Sequence, residues 1–455
     1  MNETAPSHST DNLAHNLLLP TILFAALGGM SWAVRGSSGY GGSSGCIFAG
    51  VLWGAAWWFI SRDPSGVQSR RYTSGWIVLA LAAGIGWSGG RGWMQWSNFF
   101  EGHLMTNYSK GEFVPISPAY GFLWLFIAGV PWAGIGACAL AWCGSKRPVP
   151  IWQWVIRIAC GVGGFYLARE IFDHLPQVFL PLYHSISDKY QDLETNPNLG
   201  RLIRDNRHAI EHLGVYLGFL SFEVWRRDWK NVVLILTVGL VNGLGWGICQ
   251  NWKWAHDVWP GANFNFWRCW ESSGGISIGV AYGLAYFLVN RPLSDEERLD
   301  ESEPTTNTHP NLERFGLYLG LIYGLGLSIK NGLKGWANIY IGNEDYWERQ
   351  FSYVIWPLMV IALVVLAIHI WRHRLPSKYS GDVFPHASWL IWLTLIVQNI
   401  LAQIITGPIF GEKASWNEMA FNIYYLILFI LSGVVIHHYQ FVKSAMKREE
   451  RIEST

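Results

Sequence analysis

The sequence predicts an all-α, polytopic integral membrane protein of about 12 transmembrane helices, and three observations carry that reading. Hydrophobic residues make up 51% of the 455 residues and charged residues only 14%, against about 25% charged in an ordinary soluble domain. Tryptophan occurs 28 times, and it concentrates where an apolar phase meets water. Apolar runs of about 20 residues, the length a helix needs to cross a bilayer, recur along the chain. A net charge of +1 excludes a basic nucleic-acid binder, and the composition excludes a disordered chain and a typical cytosolic enzyme.

Residues 1–14 are polar and lack Lys and Arg. The positive region of a signal peptide is missing, so the first apolar run reads as a retained helix behind a short tail. The predicted spans are 15–34, 42–61, 75–95, 119–143, 151–172, 207–225, 231–251, 273–290, 313–332, 350–371, 387–406 and 418–438. Residues 177–186 (QVFLPLYHSI) read as a re-entrant or interfacial piece, and the count falls to ten if the fifth and sixth runs do not cross. Segment 294–311 is acidic and Pro/Thr-rich and reads as a disordered linker. It divides a first bundle, 15–293, with about eight spans, from a second, 312–440, with about four. A charged, basic tail follows at 441–455.

Basic residues in short loops set orientation. Arg62, Arg70, Arg71, Lys146, Arg147, Arg226, Arg227 and Lys230 fall on one side, as do Lys443, Lys447 and Arg448 of the tail. Both termini are therefore expected in the cytoplasm, with a bacterial inner membrane as the default setting.

Residues 84–93 (GIGWSGGRGW) and 243–252 (GLGWGICQNW) echo one another. Each reads Gly-x-Gly-Trp, then a polar residue (Arg91, Gln250), then Trp (Trp93, Trp252). Residues 28–35 and 324–331 fit more loosely, with Arg35 and Asn331 at the polar offset. The echo suggests tandem helical-hairpin repeats, related about the membrane normal, that surround an outward-facing cavity. The glycines would let helices approach closely at its narrow part.

Ionisable groups at membrane depth are candidate functional groups. Arg157 and Glu223 sit near expected cytoplasmic ends and read as snorkelling or interfacial side chains. Arg35, Arg91, Gln250, Lys330 and Asn331, with Trp93 and Trp252, form the expected substrate-binding set. Arg268 joins them from the aromatic loop 251–271. Guanidinium groups suit carboxylates and phosphates because their donors form a planar fork. Glu211 and Glu271 read as starting helical turns at the outer side, where the helix dipole favours a carboxylate. Their functional reading is a coupling-proton carrier or a general acid/base pair.

Cys249 and Cys269 frame the second aromatic loop on the expected non-cytoplasmic side and are a candidate disulfide. No phosphate-binding Gly-rich loop with Lys-Ser/Thr, HExxH or CxxC pattern is present, and neither a metal nor another cofactor is expected. The expected partners are membrane lipid and a small polar or lipid-linked ligand, with no nucleic acid. Three functions stay open from the residues. One is a permease for a polar or anionic, saccharide-bearing or simpler, solute. The second is an intramembrane enzyme using Glu211 and Glu271 on a lipid-linked or glycan substrate. The third is an assembly partner without chemistry.

Overall fold

The computed structural model describes residues 13–37, 42–61, 72–89, 94–144, 149–249, 252, 254–290, 310–374 and 415–453. Its long helices are α1 (Leu19–Ser37), α2 (Gly42–Ser61), α3 (Ile77–Ser88), α4 (Ala119–Trp142), α5 (Ile151–His174) and α6 (Pro197–Trp225). They continue as α7 (Trp229–Cys249), α8 (Phe266–Asn290), α9 (Pro310–Tyr340), α10 (Glu344–Arg372) and α11 (Trp416–Glu453). The architecture is that of an all-α membrane protein, because eight of these helices are long and apolar enough to cross a bilayer. They are α1, α2, α4 and α7 to α11. Helix α3 is apolar but has only 12 residues. Helices α5 and α6 are long but carry charges along their length. The expected span 387–406 and most of the expected linker 294–311 lie outside the described residues.

Helix α8 packs chiefly on α1, and α7 lies between α8 and α4. Helix α4 also meets α3 and α6, and α5 packs on α6 at the periphery. Helix α9 leans on α2 and α3 and carries α10, while α11 rests on α1. Between lipid-soluble helices there is no hydrophobic drive to associate, so close backbone approach has to supply the packing. Gly275, Gly279 and Gly283 repeat every four residues on α8, and each presses on α1. Gly28 and Gly275 each meet the other's carbonyl, Gly279 meets Phe24 and Gly283 meets Thr21.

One glycine of each sequence echo, Gly84 and Gly243, does the same work on α4. A Cβ on Gly84 would lie 2.7 Å from Gly136 Cα, and one on Gly129 would lie 3.0 Å from Gly243 Cα. The tryptophans of the echoes part company. Trp246 is buried against Trp132, ring centres 4.4 Å apart, whereas Trp87 is half-exposed and lies on His212.

Trp32, Trp53, Trp57, Trp132, Trp246, Tyr282 and Tyr286 form an aromatic centre where α1, α2, α4, α7 and α8 meet. A buried aromatic with a polar atom needs a partner for it. Trp53 Nε1 donates to the Phe24 carbonyl (2.9 Å), Trp57 Nε1 to that of Tyr72 (3.2 Å) and Tyr282 Oη to that of Ala133 (3.0 Å).

A small polar cap covers the start of α6. It holds an antiparallel hairpin, β1 (His103–Asn107) with β2 (Glu112–Pro115), which the hydropathy reading missed. Gly111, with φ of 68°, closes its turn, and the Asn107 side chain accepts from the Ser109 and Lys110 amides. Residues 177–186 form part of the Pro176–Phe179 helix and the turns that follow it. Asn206, fully buried, donates to the Phe179 carbonyl (2.8 Å) and accepts from Trp96 Nε1 (2.7 Å), which fastens this segment to α6.

Candidate functional site

The sequence-predicted polar residues resolve into distinct clusters. Glu211 does not start a helical turn. Helix α6 begins ten or more residues earlier, at Pro197, a residue suited to a first turn because its missing N–H is not needed there. Glu211 is mid-helix, buried, and accepts from Arg169 Nε at 2.7 Å. Lys330 is nearly buried and donates to Glu348 (2.9 Å), which also receives Lys334 (2.7 Å). Asn331 is buried, and its Nδ2 has no hydrogen-bond partner among the described residues. Arg35 lies in the last turn of α1. Arg91, Trp93 and Gln250 lie outside the described residues.

Arg157 and Glu223 do not snorkel. Their side chains are 0% and 1% exposed, and Nη2 donates to Oε1 at 2.6 Å. The Arg157 guanidinium lies 4.5 Å from the Trp154 ring centre and 4.8 Å from that of Phe222. Asn231 Nδ2 donates to the other Glu223 oxygen (3.0 Å), and Tyr72 Oη donates to Asn231 Oδ1 (2.7 Å). Neither end reaches water because each charge has found a partner inside, which hydropathy alone does not reveal.

Glu271 and Arg268 lie on α8, together with an unusual run of small polar residues. Helix α8 opens FWRCWESSGG, and these side chains reach three neighbouring helices. Arg268 Nη1 donates to Glu418 Oε2 of α11 at 2.6 Å, with the guanidinium 4.9 Å from the Phe421 ring centre. Ser272 Oγ donates to the Gly29 carbonyl of α1 (3.0 Å), which leaves Tyr424 Oη of α11 to donate to Ser272 (2.9 Å). Ser273 Oγ accepts from Trp252 Nε1 (3.1 Å) and lies 3.3 Å from the Cys249 carbonyl. At the next residue, Trp246 Nε1 donates to the Gly274 carbonyl (3.2 Å). Trp252 thus joins α8 at Ser273, Arg268 joins it to α11, and Glu271 on the same helix is itself buried.

Polar capacity remains unused here. Among the described residues, Arg268 Nε, Trp270 Nε1, Asn422 Nδ2, Tyr425 Oη and Asn417 Oδ1 are buried atoms with no hydrogen-bond partner. Tyr425 is 2% exposed. Glu418, Asn422 and Tyr425 recur at helical spacing and share one face of α11, next to Phe421. These α11 residues escaped the sequence reading, which had no reason to pair residue 268 with a helix 150 residues further on.

Glu211 and Glu271 do not share a helix interface: α4 and α7 come between α6 and α8. Cys249 and Cys269 are free thiols, not a disulfide. No protein-family model matches the chain, and no match is found among the curated proteins or the solved structures.

Proposed function

We propose that the chain is a multi-pass membrane permease whose solute binds between the polar first half of α8 and the first turns of α11. One observation carries this reading: buried hydrogen-bonding groups without partners gather beside Arg268 and Glu418. Leaving a buried donor unsatisfied costs roughly 1–3 kcal/mol. A fold that keeps several along the facing stretches of α8 and α11 is organised for a ligand that satisfies them. Trp252, Phe264, Phe266 and Phe421 supply the apolar walls such a site needs. Glu271 is the carboxylate placed to carry a coupling proton, and membrane lipid surrounds the bundle.

In this reading α3, α5 and α6 complete the set of spans. Both termini are cytoplasmic, and the site opens to the opposite face. The Gly-x-Gly-Trp echoes are the remains of a hairpin repeat that now serves helix packing. Uptake of a solute panel into proteoliposomes, with and without an imposed proton gradient, tests the reading. Accumulation above protein-free vesicles supports it, and its absence across organic anions, phosphate and sugars removes it.

A further inference from the structure

We infer that the ligand of this site is a carboxylate- or phosphate-bearing anion that takes Arg268 over from Glu418. The inference rests on the site proposed above and adds its chemistry. The unpartnered atoms on the α11 side of Arg268 are unequal in kind. Arg268 Nε and Asn422 Nδ2 can only donate, Tyr425 Oη can donate or accept, and Asn417 Oδ1 can only accept. Every saccharide hydroxyl brings a proton that needs an acceptor, and the unpartnered groups here are richer in donors. An oxyanion brings acceptors alone, and a guanidinium beside neutral donors is its usual partner.

Glu418 already occupies Arg268 in the way a ligand carboxylate would, through one oxygen at 2.6 Å. It sits in the first turn of α11, its side chain 16% exposed against 8% for Arg268. The arginine is the fixed, buried member, also covered by Phe421. The glutamate is the more exposed member. Exchange of one carboxylate for another keeps the guanidinium paired throughout, which avoids the large penalty of a lone buried charge. Glu418 therefore acts as a resident competitor that closes the site when no anion is bound.

The test measures binding without transport. Full-length protein in detergent is titrated with sodium phosphate or sodium acetate at constant ionic strength, with sodium chloride and maltose as references, and thermal stability is followed. Stabilisation by phosphate or acetate above both references is expected. Glu418→Gln removes the competitor and should tighten the apparent affinity about tenfold, or about 1.4 kcal/mol. Arg268→Gln should abolish the effect, and Arg268→Lys, which keeps the charge, should retain part of it. Nanodiscs of phosphatidylglycerol against phosphatidylcholine separate the sources. Stabilisation by the anionic lipid alone assigns the site to a headgroup, and stabilisation by phosphate in micelles assigns it to a soluble anion. Equal responses to maltose and phosphate, or weaker binding in Glu418→Gln, would overturn the inference. Anion binding without uptake would leave it standing and remove only the permease reading.

Discussion

Arg169 and Glu211 form the middle rung of a ladder that fixes how α5 lies on α6. Arg157–Glu223, Arg169–Glu211 and Asp173–Arg207 are the three rungs, with contacts of 2.6, 2.7 and 2.5 Å. Twelve and then four residues forward on α5 match twelve and four residues back on α6. A slip of one turn would set Asp173 against Glu211, or Arg169 against Arg207. Like charges in both directions leave a single favourable register. Gly164 and Gly214 cross between the rungs, each pressed on the other's carbonyl. Helices α5 and α6, which are not among the eight helices apolar enough to cross a bilayer, neutralise each other's charges.

The rungs should differ in weight. Arg157→Gln strands a buried carboxylate and should destabilise the protein by about 3–5 kcal/mol. Arg207→Gln breaks a pair that is 40% and 39% exposed and should cost under about 1 kcal/mol. Denaturant unfolding in detergent ranks the two variants; equal effects would mean that the Arg157 pair is not buried as described.

Reversing the middle rung tests register. Arg169→Glu alone should lower thermal stability, and adding Glu211→Arg should recover part of the loss. A double variant less stable than the single one would show that the pair does not act as a rung.

Gly279 of the α8 stripe and Gly163 of α5 carry opposite forecasts. Gly279→Leu must displace α1, since a Cβ there already lies 2.5 Å from the Ala25 amide nitrogen; overpacking of this kind costs about 1–3 kcal/mol. Gly163 of α5 has nothing within 4 Å of its Cβ position, so Gly163→Ala should be neutral or stabilising by up to about 1 kcal/mol. Thermal unfolding and the monodisperse fraction of purified protein read both, and a tolerated Gly279→Leu would count against the α1–α8 crossing.

Alkylation of unfolded protein without reductant should modify both Cys249 and Cys269, because they are free thiols. Recovery of a peptide cross-linked through the two would contradict their placement.

In the cap, Asp192 accepts from the Thr195 side chain and amide, which holds its carboxyl below the usual 3.8. A depressed carboxylate stabilises the folded loop at pH above the unfolded value, and that contribution fades as pH falls through the folded value. Protection of the Thr195 amide from hydrogen exchange, corrected for intrinsic rates, should therefore drop only below about pH 3.8. Equal protection at pH 3 and pH 6 would show that Asp192 does not hold the turn.

The helices were legible because apolar length is written locally. The β1–β2 hairpin and the first turns of α6 were not, since polar residues such as Asn198, Arg201 and Asp205 mask them from a hydropathy search. Of the site, Arg268, Glu271 and Trp252 stood out as charges and aromatics near span ends. Glu418 and Tyr425 did not, because pairing across 150 residues leaves no local trace. Arg157 was misjudged for the same reason: its distance from a helix end was readable, and its partner Glu223 on another helix was not. The Gly275, Gly279, Gly283 stripe was present in the sequence and shows its meaning once α1 lies against it.

Tyr425→Phe isolates the central claim, because it removes one buried hydroxyl that has no hydrogen-bond partner among the described residues and changes nothing else. Thermal stability and uptake of the transported anion should be measured on the same preparation. If the hydroxyl serves a ligand, stability should hold or rise by about 1 kcal/mol, while uptake falls about tenfold or more. Unchanged uptake, or a loss of stability that accounts for the lost uptake, would contradict a ligand site between α8 and α11.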